Sequence, residues 1–422
     1  MNKLDLNIIY LIFELLDFLS KIKFRCTCKY MHLLEIHDFY NIENKYLVLL
    51  NDKILLNYPF IKYLDASFNT NITNVNYMVN LVQLNASDFF CGIKNQDIQN
   101  INLRILNANN NKKITNINHM FNLIELDASE DCGITDQGIQ NINLRILNAN
   151  NNKKITNINH MFNLIELDAS EDCGITDEGI KNINLKILKA NNNKKITNVN
   201  HMFKLIELDA SKNSGITDEG IQNINLKILN ANNNNKITNL NHMFNLVELN
   251  AAKNCGITDE GIKKLNLKKL NISDNENITN INHMTNLVEL NASHDCGIDN
   301  EGITNLNLIK LSAYNNPKIT NINHMHKLIE LDASYMCGID NEGIKNVNLI
   351  KLCVNSNSRI TNINHMFNLV ELDAELSGIS DEGIKELNLK ILYSDCNTIK
   401  TSEYCDLCDN PFLCDNPFWN NK

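Results

Sequence analysis

A chain of 422 residues, 43% of them hydrophobic, has ample material for a packed core, and its net charge of −10 excludes a general nucleic-acid binder, which needs clustered Lys and Arg to meet phosphate. No apolar run approaches the roughly 18 residues of a membrane span, and Asp5, Glu14 and Asp17 interrupt the apolar start with no small-residue cleavage site after it, so neither an anchor nor a secretion signal is expected. Thirteen Cys, an odd number scattered along a regular chain, read as reduced thiols of the cytoplasm or nucleus rather than as a disulfide framework.

Residues 4–34, LDLNIIYLIFELLDFLSKIKFRCTCKYMHLL, stand apart from everything that follows. The spacing of Ile8, Ile9, Ile12, Leu15, Leu16, Leu19 and Ile22 predicts two or three short helices with more apolar surface than so few residues can bury among themselves. An uncovered apolar patch implies a partner. The segment resembles an F-box at Leu4, Ile8, Ile9, Ile12, Phe13, Leu16, Cys28 and Lys29, and departs from it at Asp5, Asn7 and Thr27, where the family usually has Pro, Glu and Val. That resemblance implies docking on a Skp-family adaptor of a cullin–RING ubiquitin ligase through Leu4, Ile8, Ile9, Ile12, Phe13 and Leu16. Read without it, the same helices would simply cap whatever follows. Residues 1–45 are thus expected to form an F-box-like helical segment, 46–60 a linker and N-terminal cap, 61–400 a repeat array and 401–422 a C-terminal cap or tail.

The array repeats an opening leucine at steps alternating between 20 and 21 residues (Leu103, Leu123, Leu144, Leu164, Leu185 and onward), so two unlike units make a 41-residue period and seventeen units follow one another. Blocks 102–142 and 143–183 differ only at Gln137/Glu178 and Gln140/Lys181, which points to tandem copying of one sound unit. The first type runs Leu103-x-x-Leu106-x-Ala108-x-x-Asn111, then Ile114, Ile117 and Met120 at every third place; its opening alternation predicts a short strand. The second runs Leu123-x-x-Leu126-x-Ala128 to Cys132-Gly-Ile, where Gly133 suits a tight turn and Thr135 or Asp136 a cap on a short helix burying Ile139 and Ile142. One unit buries too few apolar side chains to offset the entropy of ordering it, so neighbours must stack and share strand hydrogen bonds.

This pattern resembles the leucine-rich repeat, and "GITDEGI" at 174–180 its cysteine-containing subtype. The expected fold is therefore α/β: a leucine-rich-repeat solenoid, a curved parallel sheet with short helices or turns on the convex side, preceded by a small all-α segment. By the same resemblance Asn69, Asn111, Asn152, Asn193, Asn234, Asn275, Asn316, Asn357 and Asn397 form a ladder whose amides satisfy buried backbone groups. Asn abundance by itself proves little, because A/T-rich coding would also produce it.

Seven histidines, from His119 to His365, recur every 41 residues in "NHM", but equivalent positions lie two strands apart, about 9–10 Å, too far to share one zinc. They read as surface copies. The Cys of the "CG" turns (Cys91, Cys132, Cys173, Cys255, Cys296, Cys337) give way to Ser214 in one copy and read as small packed side chains. No phosphate loop, His-x-x-x-His pair or serine elbow is present, and no enzyme activity or cofactor is expected. In the tail, Cys396, Cys405, Cys408 and Cys414 offer four thiols as an alternative zinc set.

In a leucine-rich repeat the residues between buried leucines point to the concave side. Here they give an acidic row that includes Glu125, Asp127, Glu166, Asp168, Glu207 and Asp209, joined by Lys189, while toward the C-terminus Lys269, Lys310 and Lys351 lie beside Glu of the adjoining strand and neutralise it. A basic, partly apolar segment of a target protein is the expected ligand. Specificity is expected where copies diverge, as at Phe89, Phe90, Lys189, Tyr314, His326, Tyr335, Met336, Cys353 and Tyr393. Together the two resemblances, to an F-box and to leucine-rich repeats in that order, imply a substrate-recognition subunit of a Skp–cullin–F-box ligase, expected to work in the cytoplasm or nucleus (a host's cytoplasm if the chain is viral). The alternative is a leucine-rich-repeat binding or inhibitor scaffold whose N-terminal helices are a cap.

Overall fold

The computed structural model describes residues 6–27, 31, 34–40, 42–394 and 399. The fold is a leucine-rich-repeat solenoid of short parallel strands, and it falls into two compact units, residues 1–224 and 225 onward, built from the same coil.

The first unit opens with helices α1 (Leu6–Leu15) and α2 (Phe18–Arg25). Asp17 separates them and caps α2, its carboxylate accepting from the Ser20 backbone N–H at 2.8 Å and the Ser20 hydroxyl at 2.9 Å. A short strand β1 (Asp38–Phe39) pairs in parallel with β2 (Tyr63–Asp65) across two four-residue helices, α3 (Asn44–Leu47) and α4 (Asp52–Leu55). The sheet thus begins inside the segment expected to be helical alone, and the expected boundary at residue 45 falls within α3. Aromatic packing explains it: the buried Phe39 ring lies 5.1 Å from Phe18 and 5.0 Å from Tyr58, joining α2 to the first coil.

From β2 onward each coil contributes one three-residue strand, and the register runs without slippage: Ile105 opposite Glu125, Glu125 opposite Ile146, Ile146 opposite Glu166, Glu166 opposite Ile187, Ile187 opposite Glu207. The middle leucine of every strand from β2 to Glu371–Asp373 is buried. Behind it Ala108, Ile114, Ile117 and Met120 in one coil and Ala128, Cys132, Ile134, Ile139 and Ile142 in the next are all buried, so each coil completes its core only against its neighbours. The second unit repeats this from the strand Ile228–Asn230 to the strand Ile391–Tyr393, again parallel throughout.

Asparagine has several structural duties here, which accounts for more of its abundance than composition suggested. Asn110, Asn151 and Asn192 hold φ at 55°, 55° and 58° just past the strand, a left-handed conformation that Asn tolerates better than most residues. The next residue forms the ladder: Asn193 donates Nδ2 to the carbonyl of Ala169 at 2.7 Å and accepts at Oδ1 from the Lys195 N–H at 2.8 Å. Asn111, Asn152, Asn275, Asn316 and Asn357 repeat the pattern; Asn397 lies outside the described residues. A second asparagine series ties coil to coil, as where Asn118 donates to the Gln137 carbonyl at 2.6 Å and accepts from the Asn141 N–H at 2.9 Å.

Two expectations about the turns are corrected. No glycine has positive φ; Gly133 is required because a Cβ there would sit 2.5 Å from the Lys112 carbonyl oxygen and 2.7 Å from that of Ile114, so close coil-to-coil approach demands it. Thr135 makes no side-chain cap on the helix Asp136–Ile139. Asp136 reaches to the following coil instead, accepting from the Thr156 N–H at 2.7 Å and the Asn157 N–H at 3.1 Å, so its charge fastens neighbours rather than its own helix.

Candidate partner-binding surfaces

Helix α1 keeps an apolar stripe in water. Ile8, Leu11, Ile12 and Leu15, spaced i, i+3, i+4, i+7 along one face, are 47%, 65%, 41% and 86% exposed. Ile9 and Leu16 are half-buried. Phe13, counted from the resemblance among the adaptor-facing residues, is turned inward: it is 1% exposed, 6.1 Å from the Phe24 ring and beneath the Lys21 ammonium at 5.7 Å. Its packing seats α1 on α2, which is why it does not belong to the free face. Leu4, Cys28 and Lys29 lie outside the described residues. No helix of the described residues is long and apolar enough to cross a membrane.

On the strand face of the first unit the structure separates the acidic residues into two kinds. Asp127, Asp168 and Asp209 accept the backbone N–H two residues on, at 3.0, 3.0 and 2.9 Å, and so form the turns that close their strands. Glu125, Glu166 and Glu207 stand half-buried between Ile105, Ile146 and Ile187 in strand register. None of the three forms an ion pair among the described residues. Lys189 lies in register between Asp168 and Asp209. The face alternates carboxylate and isoleucine at strand spacing.

The second unit fills the same positions differently. Lys269 bridges Glu248 at 3.7 Å and Glu289 at 3.5 Å, Lys310 meets Glu330 at 3.0 Å, and Lys351 meets Glu371 at 2.7 Å. Cross-strand pairing neutralises this row, as the sequence implied. Beside it the rings of His294, Tyr314 and Tyr335 meet in series, the first pair edge-on at 5.0 Å and the second tilted at 4.7 Å. Burial, with help from the Tyr335 hydroxyl, pushes the Tyr314 phenol up to about 12. Burial likewise raises the carboxyls of Asp332 and Asp373 above the usual range.

The repeating histidines are not surface copies. All but the exposed His283 are half-buried, and six of the seven place Nε2 against the carbonyl of an isoleucine one coil back, as with His119 to Ile98 and His160 to Ile139 at 3.0 Å, and His283 to Ile262 and His365 to Ile344 at 3.1 Å. They staple coils. The "CG" cysteines are buried, and desolvation pushes Cys91, Cys132 and Cys173 up to about 11, which leaves them as packed thiols without nucleophilic character at neutral pH. Among the described residues no group of three or more His, Cys, Asp or Glu is arranged to hold a metal ion. Cys396, Cys405, Cys408 and Cys414 lie outside them.

No family model matches the chain, and no curated protein does. Solved structures similar to it include TLR13 in its complex with ssRNA13, at 16% identity over 86% of this chain and 62% of that one with a TM-score of 0.40. An internalin (inlF) from Listeria monocytogenes aligns at 18% identity over 74% and 85%, TM-score 0.38. A chain of the yeast Rad7 and Elc1 complex aligns at 16% over 71% and 89%, TM-score 0.34. This chain spans less than two thirds of the length of the TLR13 chain it matches.

Proposed function

We propose that the chain is a recognition subunit of a Skp–cullin–F-box ubiquitin ligase: α1 docks on a Skp-family adaptor, and the strand face of the first unit holds the target protein through a basic, partly apolar segment. The observation that carries this reading is the uncovered stripe of Ile8, Leu11, Ile12 and Leu15. Four large apolar side chains on one helical face, left in water while Phe13 secures the opposite side, have the form of a helix surface completed by another protein. The chain performs no chemistry in this scheme; it supplies proximity and orientation to a transfer carried out by other subunits.

A second reading is favoured by the Phe18–Phe39–Tyr58 cluster, which fastens α2 to the first coil as a cap would be fastened. Under it the protein is a binding scaffold without a ligase. Co-expression with a Skp-family adaptor separates the two. The ligase reading expects the adaptor to co-purify with the full chain and to be lost from the Ile8→Asp/Leu15→Asp variant; failure of the unaltered chain to retain it removes that reading.

A further inference from the structure

One row of the second unit departs from the rule that the first unit keeps. In the first unit the residue after the buried middle leucine reads Asn107, Asp127, Asn148, Asp168, Lys189 and Asp209 in strand register. Successive aspartates are thus separated by a strong donor: Asn148, whose Nδ2 reaches Asp127 at 3.1 Å, or the ammonium-bearing Lys189. In the second unit the row reads Asn291, Ser312, Asp332, Cys353 and Asp373. Here a thiol, with one hydrogen and weak donor strength, stands between two aspartates. Asp332 is 4% exposed, Cys353 and Asp373 are half-buried, and none of these five residues is cationic. The lysines two places earlier, Lys310 and Lys351, meet Glu330 and Glu371.

Counting hydrogens along the row gives its polarity. Cys353 donates Sγ–H to Asp373 Oδ2 at 3.4 Å, and the Ser334 hydroxyl lies 3.1 Å from the same sulfur. On the other side Ser293 donates its hydroxyl hydrogen to Asn291 Oδ1, so across the 2.9 Å contact between Ser293 and Ser312 the donor is Ser312. That hydrogen cannot also serve Asp332 Oδ2, 3.5 Å from the Ser312 oxygen. A proton on Asp332 reverses this last bond. The chain then runs one way, from Asp332 through Ser312 and Ser293 to Asn291, with each oxygen donating once.

We infer that Asp332 is a proton-operated fastening of the second unit: in mildly acidic solution its carboxyl takes up a proton, donates to Ser312 and ties neighbouring coils more firmly than the carboxylate does at neutral pH. Tyr314 on the preceding coil, Cys337 on the return of its own coil and Cys353 on the following coil face it as neutral groups, since burial foremost pushes each up to about 12. Asp373 beyond Cys353 opposes a second negative charge, and has Glu371 and Lys351 beside it. Burial disfavours the charged form of Asp332 above all. The folded chain therefore holds the proton more tightly than the unfolded chain. The added stability is complete below about pH 3.9, the ordinary aspartate value, and is lost as pH rises through the raised folded-state value.

Carboxyl-carbon resonances of the full chain, labelled at aspartate and followed through a pH titration, test the inference, with urea midpoints as the second readout. The resonance that Asp332→Asn removes is expected to titrate above the ordinary aspartate range in the unaltered chain. In Cys353→Asn it is expected to move to lower pH, because the new amide can reach Asp332 as Asn148 reaches Asp127. Between about pH 7.5 and about pH 5 the urea midpoint is expected to gain more in the unaltered chain than in Asp332→Asn, whose amide cannot take up the proton. An Asp332 resonance in the ordinary range overturns the proposal, as does one left in place by a folded Cys353→Asn variant. Equal midpoint gains in the unaltered chain and Asp332→Asn likewise overturn it, and this comparison stands whether or not Cys353→Asn folds.

Discussion

Asn193 and Ala169, on neighbouring coils, are joined by a 2.7 Å hydrogen bond from the asparagine Nδ2 to a buried carbonyl. The same bond recurs at Asn111, Asn152, Asn275, Asn316 and Asn357, and it faces the core, where water cannot replace it. Asn193→Leu therefore leaves that carbonyl without its amide and is expected to destabilise the first unit by about 1–3 kcal/mol. A thermal melt unchanged by the substitution would show the ladder to be dispensable.

Glycine gives a sharper test of coil spacing. A Cβ on Gly138 would overlap the Thr115 carbonyl oxygen of the preceding coil, and that oxygen belongs to backbone that cannot swing aside. Gly138→Ala is expected to lower stability by about 1–3 kcal/mol through overpacking, although alanine is the better helix former. If it stabilises, the coils are not packed as closely as described.

Alkaline pH should loosen the array. Burial holds Cys91, Cys132, Cys173, Cys255 and Cys296 up to about 11, and Cys337 up to about 12, against an ordinary value of 9.0. Above pH 9 the unfolded chain gives up thiol protons that the folded chain retains, so the stability contributed by neutral thiols is present below pH 9 and falls as pH rises toward 11. Urea midpoints measured from pH 8 to 10.5 are expected to decline, and to decline less when Cys132 and Cys173 are replaced by Ser, the residue found at 214. Equal slopes would place the titrating groups elsewhere.

Charge on the two strand faces differs, and a basic probe should sense it. Glu125, Glu166 and Glu207 stand beside isoleucines, whereas Glu289, Glu330 and Glu371 are engaged by lysines. Binding of a lysine–leucine decapeptide at low salt is expected to weaken about tenfold in the Glu125→Gln/Glu166→Gln/Glu207→Gln variant, with the difference vanishing near 0.5 M salt as exposed charges are screened. The same titration on Lys269→Ala/Lys310→Ala/Lys351→Ala is expected to show tighter binding. Identical affinities for all three proteins would remove the strand-face charges from target binding.

How much of this was legible beforehand depended on whether a residue's partner lies in its own coil. Leu106, Ala108 and Ile114 declare themselves by spacing, and the ladder position of Asn111 by its invariance along the chain. His160 and Gly133 do not, because what fixes them is a carbonyl on a neighbouring coil. A polar ring in a repeat reads as surface until that carbonyl is seen. The available signal was strictness: histidine persists in seven copies while the residue two places on drifts from Phe121 to Thr285 and His326. In α1 apolar residues crowd every side, so spacing alone did not tell that Phe13 faces inward and Leu15 outward.

The central claim is that the free face of α1 completes itself on an adaptor, and a calorimetric titration of purified Skp-family adaptor into the full chain addresses it most directly. The account predicts saturable one-to-one binding with a negative heat-capacity change, as burial of apolar surface requires, and at least a hundredfold loss in Ile8→Asp/Leu15→Asp while the melting temperature stays put. No heat of binding to the unaltered chain, or undiminished affinity in the double variant, would contradict it.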